Sequence, residues 1–267
     1  MKTLLTIAGF DPSSGAGITA DLKTFAAHSY FGTSAITSLT VQSTTGVRGS
    51  DPVSASNLRA TLACLDDDLP PAGIKLGMLA TAELAAVVAD YLEQLLSARP
   101  ETLIVLDPVL RSTSGRELLS LEGVSLLRKR LLPLVNWVTP NLDELAILSE
   151  TTVTGRQDME SAARLLQSKH PGLNVLATGG HINPPDDLLL PEGGNPASWI
   201  PGVHIKSTST HGTGCALASA LLCRLVAGHS PIEAAKAAKV YVTEAIRSAP
   251  GLGHGKGPLN HLWPLQK

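Results

Sequence analysis

Along this chain, short apolar runs that end in polar or glycine-rich turns alternate with longer stretches of helical period. Residues 4–9 form the first run and stop at Phe10-Asp11-Pro12-Ser13-Ser14-Gly15-Ala16-Gly17, after which Ile18, Leu22, Phe25 and Ala26 recur as one face of a helix. Asp11 reads as a turn former just past that strand, and Asp21 lies one turn inside the helix. Residues 33–42 alternate as a β-rich strand with Gln42 at its end. Helix 55–65, strand 74–79, helix 81–96 and strand 102–106 follow, the last closed by Asp107-Pro108-Val109. A helix ending near Leu131 precedes strand 137–139, and Pro140-Asn141-Leu142-Asp143-Glu144 opens another helix. Strand 174–177 ends at Thr178-Gly179-Gly180-His181, and the Pro/Gly-rich stretch 182–206 carries short β-like pieces that suggest a hairpin edge. Two helices, 214–227 and 231–247, complete the pattern. This alternation predicts one α/β domain with a mainly parallel sheet covered by helices on both faces. Ligands of such sheets collect at the carboxyl ends of the strands, where Gly9, Gln42, Met78, Asp107 and Val109 fall.

Residues 208–220 stand out chemically, because the turn Thr208-Ser209-Thr210-His211-Gly212-Thr213-Gly214 runs straight into an apolar helix. Gly212 and Gly214 leave the backbone accessible, and the first amides of a helix lack intrahelical acceptors, so the turn suits an anion such as phosphate. A glycine-rich connector ahead of a core helix has the same pattern. Cys215 in the first helical turn would feel a positive potential that lowers its pKa toward partial thiolate at neutrality.

Composition narrows the class. With 21 Lys plus Arg against 23 Asp plus Glu, the net charge is -2, which gives no basic field for nucleic acid or an acidic membrane. Three cysteines without paired metal-ligand spacing, Cys64, Cys215 and Cys223, argue against a disulfide framework or a zinc site. The opening apolar run is brief and lacks a cleavage site, and no apolar run reaches a membrane span, so a cytoplasmic protein is expected.

Phosphoryl transfer needs a phosphate cradle, a cation held by carboxylates and a group that orients the acceptor hydroxyl. The cradle is Gly212 to Cys215, and Asp107 and Glu144 supply oxygens of the kind Mg²⁺ prefers. Taken singly, Glu144 is a helix first-turn carboxylate and Asp107 a turn residue; their shared position at the sheet edge raises both.

The segment from Gly9 to Lys23, with Asp107-Pro108-Val109, Thr139 to Glu144, Thr178 to His181, His211 to Cys215 and Gly253 to Pro258, resembles the hydroxymethylpyrimidine and phosphomethylpyrimidine kinases of thiamine biosynthesis over nearly the whole chain. The resemblance implies a three-layer ribokinase-like fold, MgATP as phosphoryl donor and a homodimer. It implies a pyrimidine pocket of Gly9, Asp21, Gln42, Met78 and Val109, with Gln42 offering a paired donor and acceptor to the aminopyrimidine. Gly212, Thr213 and Gly214 would form the anion hole, Cys215 would stand where most ribokinase-like enzymes carry a catalytic Asp, and Asn141, Thr178 and Glu144 would serve ATP and Mg²⁺. The chain departs from many relatives in having Thr178 before Gly-Gly-His where they have Lys, and Thr113 and Phe10 are lesser departures. Two rival readings are a pyridoxal kinase or dual-specificity kinase, and a pyrimidine-binding protein that has lost turnover.

Overall fold

The computed structural model describes residues 1–111, 115–180 and 182–266; Thr113 and His181 therefore lie outside the described residues. One nine-stranded sheet runs through the protein. At its heart are β1 (Thr3–Phe10), β2 (Phe31–Ser43), β4 (Gly73–Leu76), β5 (Leu103–Leu106), β6 (Trp137–Val138) and β7 (Asn174–Ala177), all parallel in the order β2-β1-β4-β5-β6-β7. Antiparallel strands extend both sides: β3 (Gly46–Pro52) on β2, and β8 (Asp187–Leu190) with β9 (Ser198–Ile200) beyond β7. The hairpin edge expected in 182–206 is thus present.

Alternation along the buried strands sorts side chains into two layers. Leu5 and Ile7 of β1, Ile74 and Leu76 of β4, and Val175 and Ala177 of β7 pack under α2 (Ala55–Asp68), α3 (Ala82–Ala98), α4 (Leu121–Leu126), α5 (Leu142–Ser149) and α6 (Arg156–Lys169). Leu4, Val105 and Leu176 pack on the other face under α1 (Gly17–Ala27), α7 (Thr213–Val226) and α8 (Pro231–Arg247). The result is the expected three-layer architecture. Two elements went unread in the sequence, β3 and α6. The first is polar with no alternation, whereas α6 buries Met159, Ala162, Ala163 and Leu166 at helical spacing.

The chain leaves β1 toward β2 on one side and returns to β4 on the other. That reversal opens a crevice at the carboxyl ends of β1 and β4, beside Gly9 and Met78. On this sheet Thr6 of β1 stands opposite Lys75 of β4, so a hydroxyl and an ammonium share one buried face.

Candidate active site

A cavity of about 510 Å³ opens along the carboxyl edge of the sheet. Gly9, Gln42, Met78 and Val109 line it, as do Asp107, Glu144, Gly212, Thr213, Gly214 and Cys215, and so do Asn141 and Thr178. Every site residue expected from the sequence therefore faces one space, except Asp21. That carboxylate is fully buried on α1 and accepts hydrogen bonds from Thr6 Oγ1 (2.6 Å), Ser219 Oγ (2.8 Å) and Lys75 Nζ (3.1 Å). Asp21 belongs to the layer beneath the cavity, not to a pyrimidine pocket, because it is fully buried there with both oxygens already hydrogen-bonded.

Lys75 is the residue the sequence reading missed. Its Nζ bridges Asp21 and Asp107, at 3.1 and 3.6 Å, with no side-chain exposure. Burial alone would lower its pKa, yet Asp21 and Asp107 hold it charged and above the ordinary lysine range. A lysine inside an apolar strand, Gly73-Ile74-Lys75-Leu76, was the available signal, since an unpaired buried ammonium would be too costly.

Asp107 follows β5 and faces the N-terminus of α7: a Cβ on Gly214 would lie 3.6 Å from its Oδ1. Its Oδ2 is buried without a hydrogen-bond partner. Burial raises its carboxyl above the ordinary range, with Asp21 adding and Lys75 opposing. Glu144 sits in the first turn of α5 and closes a capping box, its Oε2 accepting from Asn141 N (2.9 Å) while Asn141 Oδ1 accepts from Glu144 N (3.0 Å). The local capping role and the place on the cavity wall thus coexist. Burial, then the charge of Asp107, lift Glu144 to about 8.

Gly212 begins α7 in the left-handed region (φ 84°), and a Cβ there would meet Gly15 O at 1.8 Å. The turn before α7 is thereby seated on the loop after β1. Cys215 departs from expectation. Burial pushes its thiol up to about 12, with Asp107 and Asp21 adding and Lys75 opposing, so at neutral pH it is a thiol and not a partial thiolate. The helix start alone would favour the anion, but burial, with the two carboxylates adding to it, reverses the balance.

Asp11 does more than form a turn. It accepts from Ser13 N (2.8 Å), Ser13 Oγ (2.7 Å), Gly15 N (3.1 Å) and Ala16 N (2.9 Å), and His211 Nε2 lies 2.8 Å from its Oδ2. Burial opposes ionisation, but these donors hold the carboxyl at about 2. His211 Nε2 is also 2.9 Å from Gln42 Nε2. Toward the other end of the cavity, Thr178 N donates to Pro140 O (2.8 Å), and Lys239 pairs with Asp187 at 2.7 Å. Arg111, Lys239 and Lys256 line the cavity together with the apolar Val203, Ile205, Val242 and Ile246.

A helix N-terminus set against an under-satisfied carboxylate, at the switch point of a three-layer α/β sheet and in a cavity along its carboxyl edge, defines a ribokinase-like small-molecule kinase. Comparison with known proteins agrees. The family model described as phosphomethylpyrimidine kinase matches residues 11–260, and the chain belongs to that family. It is 39% identical over 267 residues to a hydroxymethylpyrimidine/phosphomethylpyrimidine kinase of Haemophilus influenzae, covering 98% of this chain and 97% of that one. A solved phosphomethylpyrimidine kinase from Clostridium difficile superposes with a TM-score of 0.79 at 33% identity, over 92% of this chain and 100% of that one. The pyridoxal kinase of Staphylococcus aureus in complex with pyridoxal gives a TM-score of 0.87 at 29% identity, over 100% of this chain and 95% of that one, and that enzyme is also solved with ADP and with AMP-PCP.

Proposed function

We propose that this protein transfers the γ-phosphoryl group of ATP to the hydroxymethyl group of 4-amino-5-hydroxymethyl-2-methylpyrimidine, and then to the resulting monophosphate, in thiamine biosynthesis. The observation that carries this reading is the single cavity joining Gln42 and Met78 at one end to Asn141 and Thr178 at the other, past the N-terminus of α7. The pyrimidine lies among Gly9, Gln42, Met78 and Val109. Gly9 is suited to that place because a Cβ would come within 3.0 Å of Met78 Sδ and narrow the pocket. ATP lies over Asn141, Thr178 and Thr213 with its base toward Val203 and Val242.

Gly212, Thr213 and Gly214 offer backbone donors and the α7 dipole to the transferring group, where charge accumulates on equatorial oxygens. Asp107 and Glu144 would hold Mg²⁺. A buried Asp107 oxygen without a hydrogen bond, its charge felt by a second carboxylate at Glu144, fits a cation, and no group of three His, Cys, Asp or Glu ligands occurs among the described residues. Mg²⁺ matches such a sparse donor set because it keeps waters and takes phosphate oxygens. When bound it neutralises phosphate charge.

Cys215, as a thiol, positions the acceptor oxygen and does not remove its proton. Phosphoryl transfer through a loose transition state asks little of a base, and the monophosphate acceptor is already ionised. A Cys215→Ala protein with both rates intact would remove any such role. The cytoplasm is the place of action, in keeping with free Cys64, Cys215 and Cys223, and no helix among the described residues is long and apolar enough to cross a membrane. A homodimer is expected, with the exposed Leu39 and Val41 of β2 as the apolar contact; a monomer by light scattering would dismiss it.

Pyridoxal is the second reading, favoured by the likeness to the pyridoxal kinase solved with pyridoxal. ADP release with MgATP separates the two when hydroxymethylpyrimidine, its monophosphate, pyridoxal and ribose are compared. Turnover of both pyrimidines is expected, and turnover of ribose alone would overturn the assignment.

A further inference from the structure

We infer that Asp11 and His211 set the side-chain amide of Gln42, with Oε1 toward the imidazole and Nε2 toward Thr40, and so fix the donor–acceptor pattern that the heteroaromatic substrate meets. The inference rests on the proposed seat of the substrate against Gln42.

The argument is one of hydrogen count. The ends of an amide have the same shape and are told apart by their partners. With Gln42 Nε2 toward the imidazole, two conflicts arise. Asp11 is ionised and 2.8 Å from His211 Nε2, so that nitrogen must carry its hydrogen and donate. An N–H donor then confronts the amide NH₂ at 2.9 Å. Thr40 supplies the second conflict, and it is independent of the first. Its one hydroxyl hydrogen is required at Phe10 O, a pure acceptor at 2.8 Å, leaving nothing to donate to Gln42 Oε1 at 3.2 Å.

Turning the amide over removes both conflicts together. His211 Nε2–H is then shared between Asp11 and Gln42 Oε1, and Gln42 Nε2–H donates to the free lone pair of Thr40 Oγ1. One N–H and one carbonyl lone pair of Gln42 remain for a ligand. That pair complements a ring nitrogen next to an amino group, as in an aminopyrimidine. Pyridoxal has no ring nitrogen next to an amino group, so it cannot answer the donor and the acceptor of the amide together.

The imidazole packs closely against the loop after β1, which holds it beside the amide. A Cβ on Gly15 would lie 2.4 Å from His211 Cδ2, so the ring fills the space that this glycine leaves. The backbone of His211 is also pinned, its N–H donating to Gly257 O at 3.1 Å.

The test combines spectroscopy with kinetics on the full chain. Nitrogen-15 correlation spectra of the wild-type protein are expected to give His211 hydrogen on Nε2; a spectrum with hydrogen on Nδ1 alone overturns the inference. In His211→Phe, the preference for hydroxymethylpyrimidine over pyridoxal, as the ratio of kcat/KM, is expected to fall by about tenfold or more. The loss should sit in KM for the pyrimidine, with kcat falling far less, and His211→Gln, which keeps a donor toward Asp11, should recover part of it. An equal loss of kcat for both substrates with the ratio unchanged would assign His211 to the phosphate turn and refute the inference. Should His211→Phe not fold, His211→Gln and the wild-type spectrum decide. If the wild-type protein phosphorylated neither substrate, the proposed function would fail, while the spectrum would still test the amide's setting.

Discussion

Asp21 and Asp107 are two buried carboxylates that share one lysine, and they have opposite fates. Asp21 points into the layer between β1, α1 and α7, where Thr6, Ser219 and Lys75 satisfy both its oxygens. Asp107 points to the cavity, its Oδ2 without a hydrogen bond and only ion-paired to Lys75 at 3.6 Å. Burial is equal to within a few percent, 0% against 4% exposure, so depth does not separate them. Completeness of the hydrogen-bond shell does. A saturated carboxylate holds structure together, and an unsaturated one beside an open space is available to a ligand.

Removing the shared cation tests the pairing most severely. Lys75→Met leaves two carboxylates facing each other without compensation, and a loss of about 3–5 kcal/mol is expected in urea unfolding. A loss below about 1 kcal/mol would mean that one of the acids is already neutral in the wild-type protein. Replacing the acids singly should then split their roles. Asp21→Asn is expected to cost about 1–3 kcal/mol of stability with kcat changed only slightly, because a hydrogen-bonded charge is lost from the interior. Asp107→Asn should leave stability unchanged or improved while kcat falls by about 10²–10³-fold, the scale for a lost transition-state electrostatic contact. The reverse assignment of stability and rate would break the comparison.

The sequence carried one side of this contrast far better than the other. The strand–helix rhythm and the glycine turns put Gly9, Gln42, Met78 and Asp107 on one edge, since position at a strand's end is a local property. What a side chain touches is not. Asp21 and Ser219 lie 198 residues apart, and Asp11 and His211 are separated by 200, so no spacing could reveal either pair. Cys215 failed for a related reason. Its helix start was legible, whereas the burial that overrides it, and the two carboxylates that add to it from α1 and the end of β5, are set by the tertiary fold. Lys75 and α6 were legible and overlooked: a lysine amid apolar residues advertises a buried partner, and Met159 to Leu166 repeat at helical spacing.

A smaller effect sharpens the unsatisfied side. Glu144 is raised to about 8, so at neutral pH and without a cation it is mostly protonated. A divalent ion takes the carboxylate and must displace that proton. Mg²⁺ affinity, measured by calorimetry with a non-hydrolysable ATP analogue, is therefore expected to rise with pH and level off above about 8. It should approach tenfold per pH unit below that value, and proton release should fall in Glu144→Gln. A flat profile between pH 6 and 8 would mean that Glu144 is already ionised before the ion arrives.

The smallest effect is expected at Thr178, where the resemblance drawn from the sequence implies a lysine. If that lysine were the sole counter-charge for ATP phosphates, its absence would cost several kcal/mol of transition-state stabilisation, and Thr178→Lys would raise turnover by orders of magnitude. The cavity argues otherwise, because Arg111, Lys239 and Lys256 all line it. Lys239 is joined to Asp187, whose Oδ1 accepts from Gly179 N at 3.0 Å, so this cation is tied to the very turn that Thr178 begins. A further lysine there would add to a field already supplied and would compete with Lys239 for Asp187. Thr178→Lys is therefore expected to change kcat/KM for ATP by less than about tenfold, whereas Lys239→Met should lower it by more. A hundredfold gain in Thr178→Lys would show that the wild-type site lacks its cation, and would extend to the ATP end of the cavity the incompleteness that marks Asp107.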